Sequence, residues 1–159
     1  MRHAKSSFKD PELKDGKRPL SKRGERNAAQ MGELLQEREI YPQVILASPA
    51  VRVCQTAETV TRVTGYSGEV HYMDTLFMAE ADEILDALHE LPDEVESVMI
   101  IGHNPGLESL IPMFTKKIVA LPTAGIAYLS LPINHWKDLK RKTKGDLIEL
   151  WRPKDLEPD

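Results

Sequence analysis

The sequence predicts one α/β domain over residues 1–159. The expected architecture is a three-layer sandwich: a mostly parallel sheet with helices on both faces, closed by an antiparallel C-terminal strand pair. Two observations carry this. Val44-Ile45-Leu46-Ala47 and Val98-Met99-Ile100-Ile101 are short apolar runs rich in β-branched residues, the composition of strands buried on both faces. Segments with helical apolar spacing alternate with them, and no repeat, low-complexity tract or long linker divides the chain.

In chain order, the first helix is expected over residues 21–39, where Ala28, Met31 and Leu35 form one stripe. The 44–47 strand follows, then a helix with Val53, Ala57, Val60 and Thr64 on its buried face. A weaker strand is expected over Glu69–Tyr72. Ile84, Leu85, Leu88 and Leu91 mark a third helix, and Leu107, Leu110, Ile111 and Phe114 a fourth, with the 98–101 strand between them. Residues 126–131 and 147–151 read as two more strands. No helical pattern separates them, so they pair antiparallel near a sheet edge. The loop between them, with Lys137, Lys140, Arg141, Lys142 and Lys144, reads as a solvated edge guard.

Composition narrows the function. No apolar run exceeds four residues, which excludes a membrane-spanning helix and the core of a signal peptide, so a cytoplasmic protein is expected. The single cysteine forms no internal disulfide and no thiolate cage. The net charge of −4 is unevenly spread: residues 1–26 hold nine Lys/Arg against four Asp/Glu, whereas residues 74–96 hold nine acids and neither Lys nor Arg. A basic front without interleaved aromatics on an acidic chain argues against nucleic acid and for a local anion site. The acidic stretch reads as a solvated face.

In an open parallel sheet, ligands bind beyond the carboxyl ends of the strands. After Ala47 comes Ser48-Pro49-Ala50-Val51-Arg52, with Ser48 expected as helix cap, Pro49 at the first helical position and Arg52 in the first turn. After Ile101 comes Gly102-His103-Asn104-Pro105-Gly106, in which Asn104 takes the capping place. Helical side chains lean toward the N-terminus, so Arg52 can aim above the strand end. Two helix starts, an arginine and a histidine at one sheet edge suit a phosphate, whose oxygens match a guanidinium fork.

The segment Arg2-His3-Ala4-Lys5-Ser6 extends the pattern, together with Arg18-Pro19-Leu20-Ser21-Lys22-Arg23-Gly24, Gln55-Thr56-Ala57-Glu58 and Arg152-Pro153-Lys154-Asp155-Leu156. Taken with the two segments after the strands, this set resembles the SixA-type phosphohistidine phosphatases of the histidine phosphatase superfamily over nearly the whole chain. The resemblance implies a phosphoglycerate mutase-like fold and a phosphoryl-accepting histidine, matched by His3. It further implies phosphate contacts from Arg2, Arg52 and His103, with Ser6 and Asn104 as rim residues. No metal or other cofactor is implied, and the implied partner is a phosphohistidine-bearing protein. A neutral imidazole is well populated at pH 7 because its ordinary pKa is about 6.5, and the neighbouring Arg2 and Arg52 favour that form.

Two departures from the family pattern matter. Met78 stands where a glutamate usually donates a proton to the leaving group, and Glu80, two positions later, is the nearest replacement. Such a loss favours phosphohistidine over phosphate esters, because a leaving nitrogen can take its proton from solvent. The family also runs an apolar strand directly into the Arg-His pair, whereas only Met1 precedes Arg2 here. The first central strand is therefore expected to be missing from this sequence, leaving His3 on a frayed end, and a start further upstream accounts for the gap.

The remaining signals are bland. His71, His89 and His135 lie at no metal-ligand spacing, Cys54 lacks the arginine six positions on that a cysteine phosphatase needs, and neither a P-loop nor a Gly-x-Gly-x-x-Gly fingerprint occurs. Two other readings stay open: a phosphatase of small phosphomonoesters, and a module that binds phosphate or a phosphoprotein without turnover.

Overall fold

The structure, a computed structural model, describes residues 1–158. Its elements are α1 (Lys22–Glu37), β1 (Val44–Ala47), α2 (Val51–Thr64), β2 (Glu69–Tyr72), α3 (Ala81–His89), β3 (Val98–Ile101), α4 (Gly106–Thr115), β4 (Ile126–Ser130) and β5 (Asp146–Trp151). β1 lies between β2 and β3, parallel to both, with Val44 opposite Glu69 on one side and Val98 on the other. β4 and β5 pair antiparallel, Ile126 opposite Trp151, as the uninterrupted chain between them predicted.

The strand side chains sort into two cores, because successive residues point to opposite faces. Ile45, Ala47, Met99 and Ile101 pack with Ala28, Met31 and Leu35 of α1 and Val53, Ala57 and Val60 of α2. Leu46, flanked by Val44, Val98 and Ile100, packs with Ile84, Leu85 and Leu88 of α3 and Leu107, Ile111 and Phe114 of α4. Three layers result, with one helix pair on each face of the sheet.

The N-terminal segment departs from the frayed end expected of it. Arg2 forms a parallel bridge with Gly102 just past β3. The Gly102 amide donates to the Met1 carbonyl at 3.1 Å and the His3 amide to the Gly102 carbonyl at 3.0 Å. On the other side the Arg2 amide donates to the Gly125 carbonyl and the Ala124 amide to the His3 carbonyl, both at 3.0 Å. Residues 1–3 thus join the parallel sheet to the chain entering β4, and Ala4 is fully buried. A very short segment suffices because it is bonded along both edges, where an unpaired backbone group would be costly.

A close helix contact locks this segment further. A Cβ on Gly24 would lie 2.1 Å from the Lys5 carbonyl oxygen, so only glycine lets the first turn of α1 approach the Lys5 backbone. Ser21 caps α1, its Oγ accepting from the Gly24 amide at 3.0 Å and donating to the Lys5 carbonyl at 3.1 Å.

Candidate active site

Both predicted helix starts are displaced. α2 begins at Val51 behind Ala50, and α4 at Gly106 behind Pro105, so neither Ser48 nor Asn104 is the capping residue and Pro49 precedes the helix. The displaced side chains do other work. Ser48, fully buried, accepts from the Ala50 amide at 3.3 Å, and its Oγ lies 2.8 Å from His103 Nε2. Asn104 Nδ2 donates to the Leu121 carbonyl at 2.9 Å and to the Glu108 carboxylate, while its Oδ1 is buried with no partner among the described residues.

Arg52 stands in the first turn of α2, as its position predicted, and is 3% exposed. Its Nε lies 3.4 Å from His3 Nε2 and its Nη2 3.2 Å from His103 Nδ1. The two imidazoles face each other with ring centroids 5.4 Å apart. Arg2 reaches the same region: its Nη1 donates to the Leu121 carbonyl at 3.1 Å, the acceptor it shares with Asn104, and its Nε is buried with no partner among the described residues. The structure therefore brings Arg2, His3, Arg52 and His103 together at the carboxyl edge of β1 and β3. A buried orphan donor on Arg2 at that edge is a place for an acceptor such as a phosphate oxygen.

The bonds assign the imidazole protons. His3 Nδ1 lies 2.7 Å from the Ala4 carbonyl, so Nδ1 carries the hydrogen and Nε2 keeps a lone pair. Arg52 can only donate, so His103 Nδ1 accepts and its Nε2–H points to Ser48. Both rings are neutral at pH 7. Burial pulls His3 down to about 4 against the opposing bond to Ala4, with Arg52, Arg2 and Arg18 lowering it further. His103 is also lowered to about 4, by burial first and by Arg52 and His3 next, with Asp15 opposing. Arginine charge lowers the His3 pKa as expected from the sequence, and that of His103 with it, but loss of water is the larger cause for both.

The remaining predicted residues lie elsewhere or act differently. Ser6 Oγ accepts from Arg18 Nη1 at 3.0 Å, which makes it a support for that arginine. Glu80 is exposed at the N-cap of α3: its carboxylate accepts from the Glu83 backbone, and the Glu83 carboxylate accepts from the Glu80 amide at 2.8 Å. This capping box holds Glu80 at the helix end, and among the described residues it makes no hydrogen bond to the His/Arg cluster. The spacing Glu80-x-x-Glu83 before an apolar run was the available signal. Met78 does reach the site, its Sδ 3.8 Å from Arg52 Nη2.

Three further residues contribute, to which the sequence assigns no role. Thr56 Oγ1 accepts from the Ala4 amide at 3.0 Å and donates to the Arg52 carbonyl at 2.7 Å, fastening the His3 segment to α2. Phe77 sets its ring edge-on to His103 at 5.5 Å. Asp15 binds Arg52 and Arg18 from an otherwise featureless loop. Only Thr56 had a sequence cue, one turn after Arg52 on the same helix face.

A buried pair of neutral imidazoles flanked by two arginines on a parallel sheet defines a phosphate-handling α/β enzyme, and comparison with known proteins agrees. Residues 1–82 match the model of the histidine phosphatase superfamily (branch 1). An uncharacterized chloroplastic protein of Arabidopsis thaliana is 32% identical over 148 residues, 87% of this chain and 67% of that protein. An uncharacterized protein of Mycobacterium tuberculosis is 30% identical over 151 residues, 88% of this chain and 92% of that one. A candidate phosphohistidine phosphatase SixA from Agrobacterium tumefaciens is 27% identical with a TM-score of 0.83, covering 96% of this chain and 95% of that one. The protein histidine phosphatase SixA complexed with tungstate shares the fold at a TM-score of 0.83 and 22% identity, over 99% of this chain and 97% of that one. The chain belongs to the histidine phosphatase superfamily and is a phosphatase with the SixA-type architecture. Among the described residues, no helix is long and apolar enough to cross a membrane.

Proposed function

We propose that the protein removes phosphate from phosphohistidine on a partner protein through a phospho-His3 intermediate. The observation that carries this is the unprotonated His3 Nε2, whose lone pair accepts from Arg52 Nε at 3.4 Å while Nδ1–H is held by the Ala4 carbonyl, so that Nε2 is aimed at the group the guanidinium binds. Nε2 attacks phosphorus, the bond from phosphorus to the substrate nitrogen breaks, and that nitrogen keeps the electron pair and takes a proton from solvent. Water then attacks phosphorus and gives up a proton to solvent, the Nε2–P bond breaks with its electrons returning to Nε2, and phosphate leaves. Arg52 and Arg2 stay charged throughout and hold the equatorial oxygens, where stabilisation of phosphoryl transfer is mainly electrostatic. His103 turns its Nδ1 to the site. When the ring proton moves from Nε2 to Nδ1, Nδ1–H donates to a phosphoryl oxygen and the Ser48 hydroxyl turns to donate to Nε2.

Choice of a nitrogen leaving group follows from Met78. A thioether next to Arg52 offers no proton, which handicaps an alkoxide far more than an imidazole. The test is phosphate release from a histidine protein phosphorylated with phosphoramidate, wild type against His3→Ala, with an alkaline quench to trap the phosphoenzyme. The expected result is release by wild type only and label on His3. Equal release by both, or label on another residue, overturns the mechanism. Faster release from small phosphomonoesters than from the protein overturns the substrate.

A further inference from the structure

Arg52 uses its guanidinium on two sides. The edge formed by Nε and Nη2 faces the two imidazoles, at 3.4 Å from His3 and 3.2 Å from His103. The opposite edge is held by one residue: Nη1 donates to the Asp15 backbone carbonyl at 2.8 Å and Nη2 to Asp15 Oδ2 at 3.0 Å. The second carboxylate oxygen, Oδ1, accepts from Arg18 Nη2 at 2.6 Å, and Arg18 Nη1 is bonded to Ser6. Asp15 opens a short 3₁₀ turn, Asp15–Lys17, that fixes its carbonyl, and a Cβ on the next residue, Gly16, would lie 3.6 Å from the Phe77 ring that borders His103.

We infer that Asp15 is a positioning residue for phosphoryl transfer: it clamps the outer edge of Arg52 so that the Nε–Nη2 fork stays aimed at the phosphoryl group. This rests on the reading that Arg52 binds that group. A carboxylate placed on the inner edge would compete with phosphate, whereas one on the outer edge remains when phosphate arrives. Phosphate recognition by a fork needs its direction fixed to a fraction of an ångström, and a long unbranched side chain does not supply that alone. The pair is open to water on the carboxylate side, where Asp15 is half exposed, but Arg52 is buried, so melting temperature has to be read beside activity.

The chemistry also dictates which substitutions fail. Both carboxylate oxygens accept from a guanidinium, so in Asp15→Asn one end becomes an NH₂ group facing an N–H donor. Asp15→Glu keeps two acceptors on one added methylene. The test measures phosphate release from the phosphorylated histidine protein and competitive inhibition by inorganic phosphate, for Asp15→Asn and Asp15→Glu, each alone and with Arg52→Lys. Expected is a rise of about tenfold in the inhibition constant for Asp15→Asn, the low end for a charge-assisted bond, with recovery to within about threefold in Asp15→Glu. In the Arg52→Lys background, Asp15→Asn should change that constant less than about twofold, because Asp15 acts through Arg52. Melting temperature separates positioning from support of the fold and should fall by no more than a few degrees in Asp15→Asn, which keeps the shape of the side chain. A wild-type inhibition constant in Asp15→Asn, an equal loss in both backgrounds, no recovery in Asp15→Glu, or loss of folding overturns the inference. Inactive His3→Ala beside unaffected Asp15 variants overturns it alone; fully active His3→Ala removes the reading beneath it.

Discussion

The two crossovers that follow β1 and β3 look like repeats of one design, each a strand end, a polar residue, a proline and a helix, yet they serve the site differently. In the first, the contributing side chain is Arg52, inside the opening turn of α2 and carrying a fixed charge. In the second it is His103, ahead of α4 in the connection itself, with a neutral ring. The first also supports the second, since Ser48 holds His103 Nε2. One crossover therefore provides a fixed charge from inside a helix, and the other a neutral ring from the connection before one.

The largest difference lies in how tightly each helix is seated. A Cβ on Gly106, the first residue of α4, would fall 1.9 Å from the Ala79 carbonyl oxygen, whereas Val51 at the same place in α2 already carries a side chain and is only partly buried. Gly106→Ala is expected to cost about 3 kcal/mol, because the obstacle is backbone, and Val51→Ala less than about 1 kcal/mol. Urea unfolding of both variants checks this; equal midpoints would erase the contrast.

Acid should act on the second crossover and leave the charge of the first untouched. His3 and His103 sit at about 4 in the folded protein against an ordinary 6.5, so between those values the unfolded chain binds more protons. Stability contributed by the neutral rings is complete above about 6.5 and is lost as pH falls toward about 4. The expected decline across that window is a few kcal/mol, since each tenfold change in proton affinity corresponds to about 1.4 kcal/mol. Comparing urea midpoints at pH 7 and 4.5 for wild type and His103→Gln isolates the His103 share, which should flatten the decline in the variant.

The smallest effect probes the link between the crossovers. Ser48→Ala removes the acceptor for His103 Nε2–H in a fully buried place and is expected to cost about 1–2 kcal/mol, with kcat reduced more than KM. Thermal melts beside steady-state phosphate release read both. A variant with unchanged kcat would mean that His103 is held by Phe77 and Arg52 without its serine.

Much of this was legible in the residues. The runs 44–47 and 98–101 are strands at the predicted bounds because their apolar character ends where the buried layer ends. Arg52 could be placed from helical geometry alone, and Arg2, His3 and His103 from an ordered set of motifs. The expected helix starts fall two residues early at α2 and one early at α4 because a polar residue before proline reads as a cap, whereas here Ser48 bonds across to His103 and Asn104 to Leu121. Long-range choices of that kind leave no local pattern. Asp15 is the extreme case: one acid among lysines in a loop, meaningful only because Arg52, 37 residues later, folds against it.

The ribbon of residues 1–3 is bonded to Gly102 on one edge and to residues 124–125 on the other. The proposed phosphate carrier is thus a stitch in the seam between two sheets. Any event that parts those sheets also withdraws the imidazole from its arginine. Turnover in this protein should consequently vanish in step with architecture, with no half-opened species that still works.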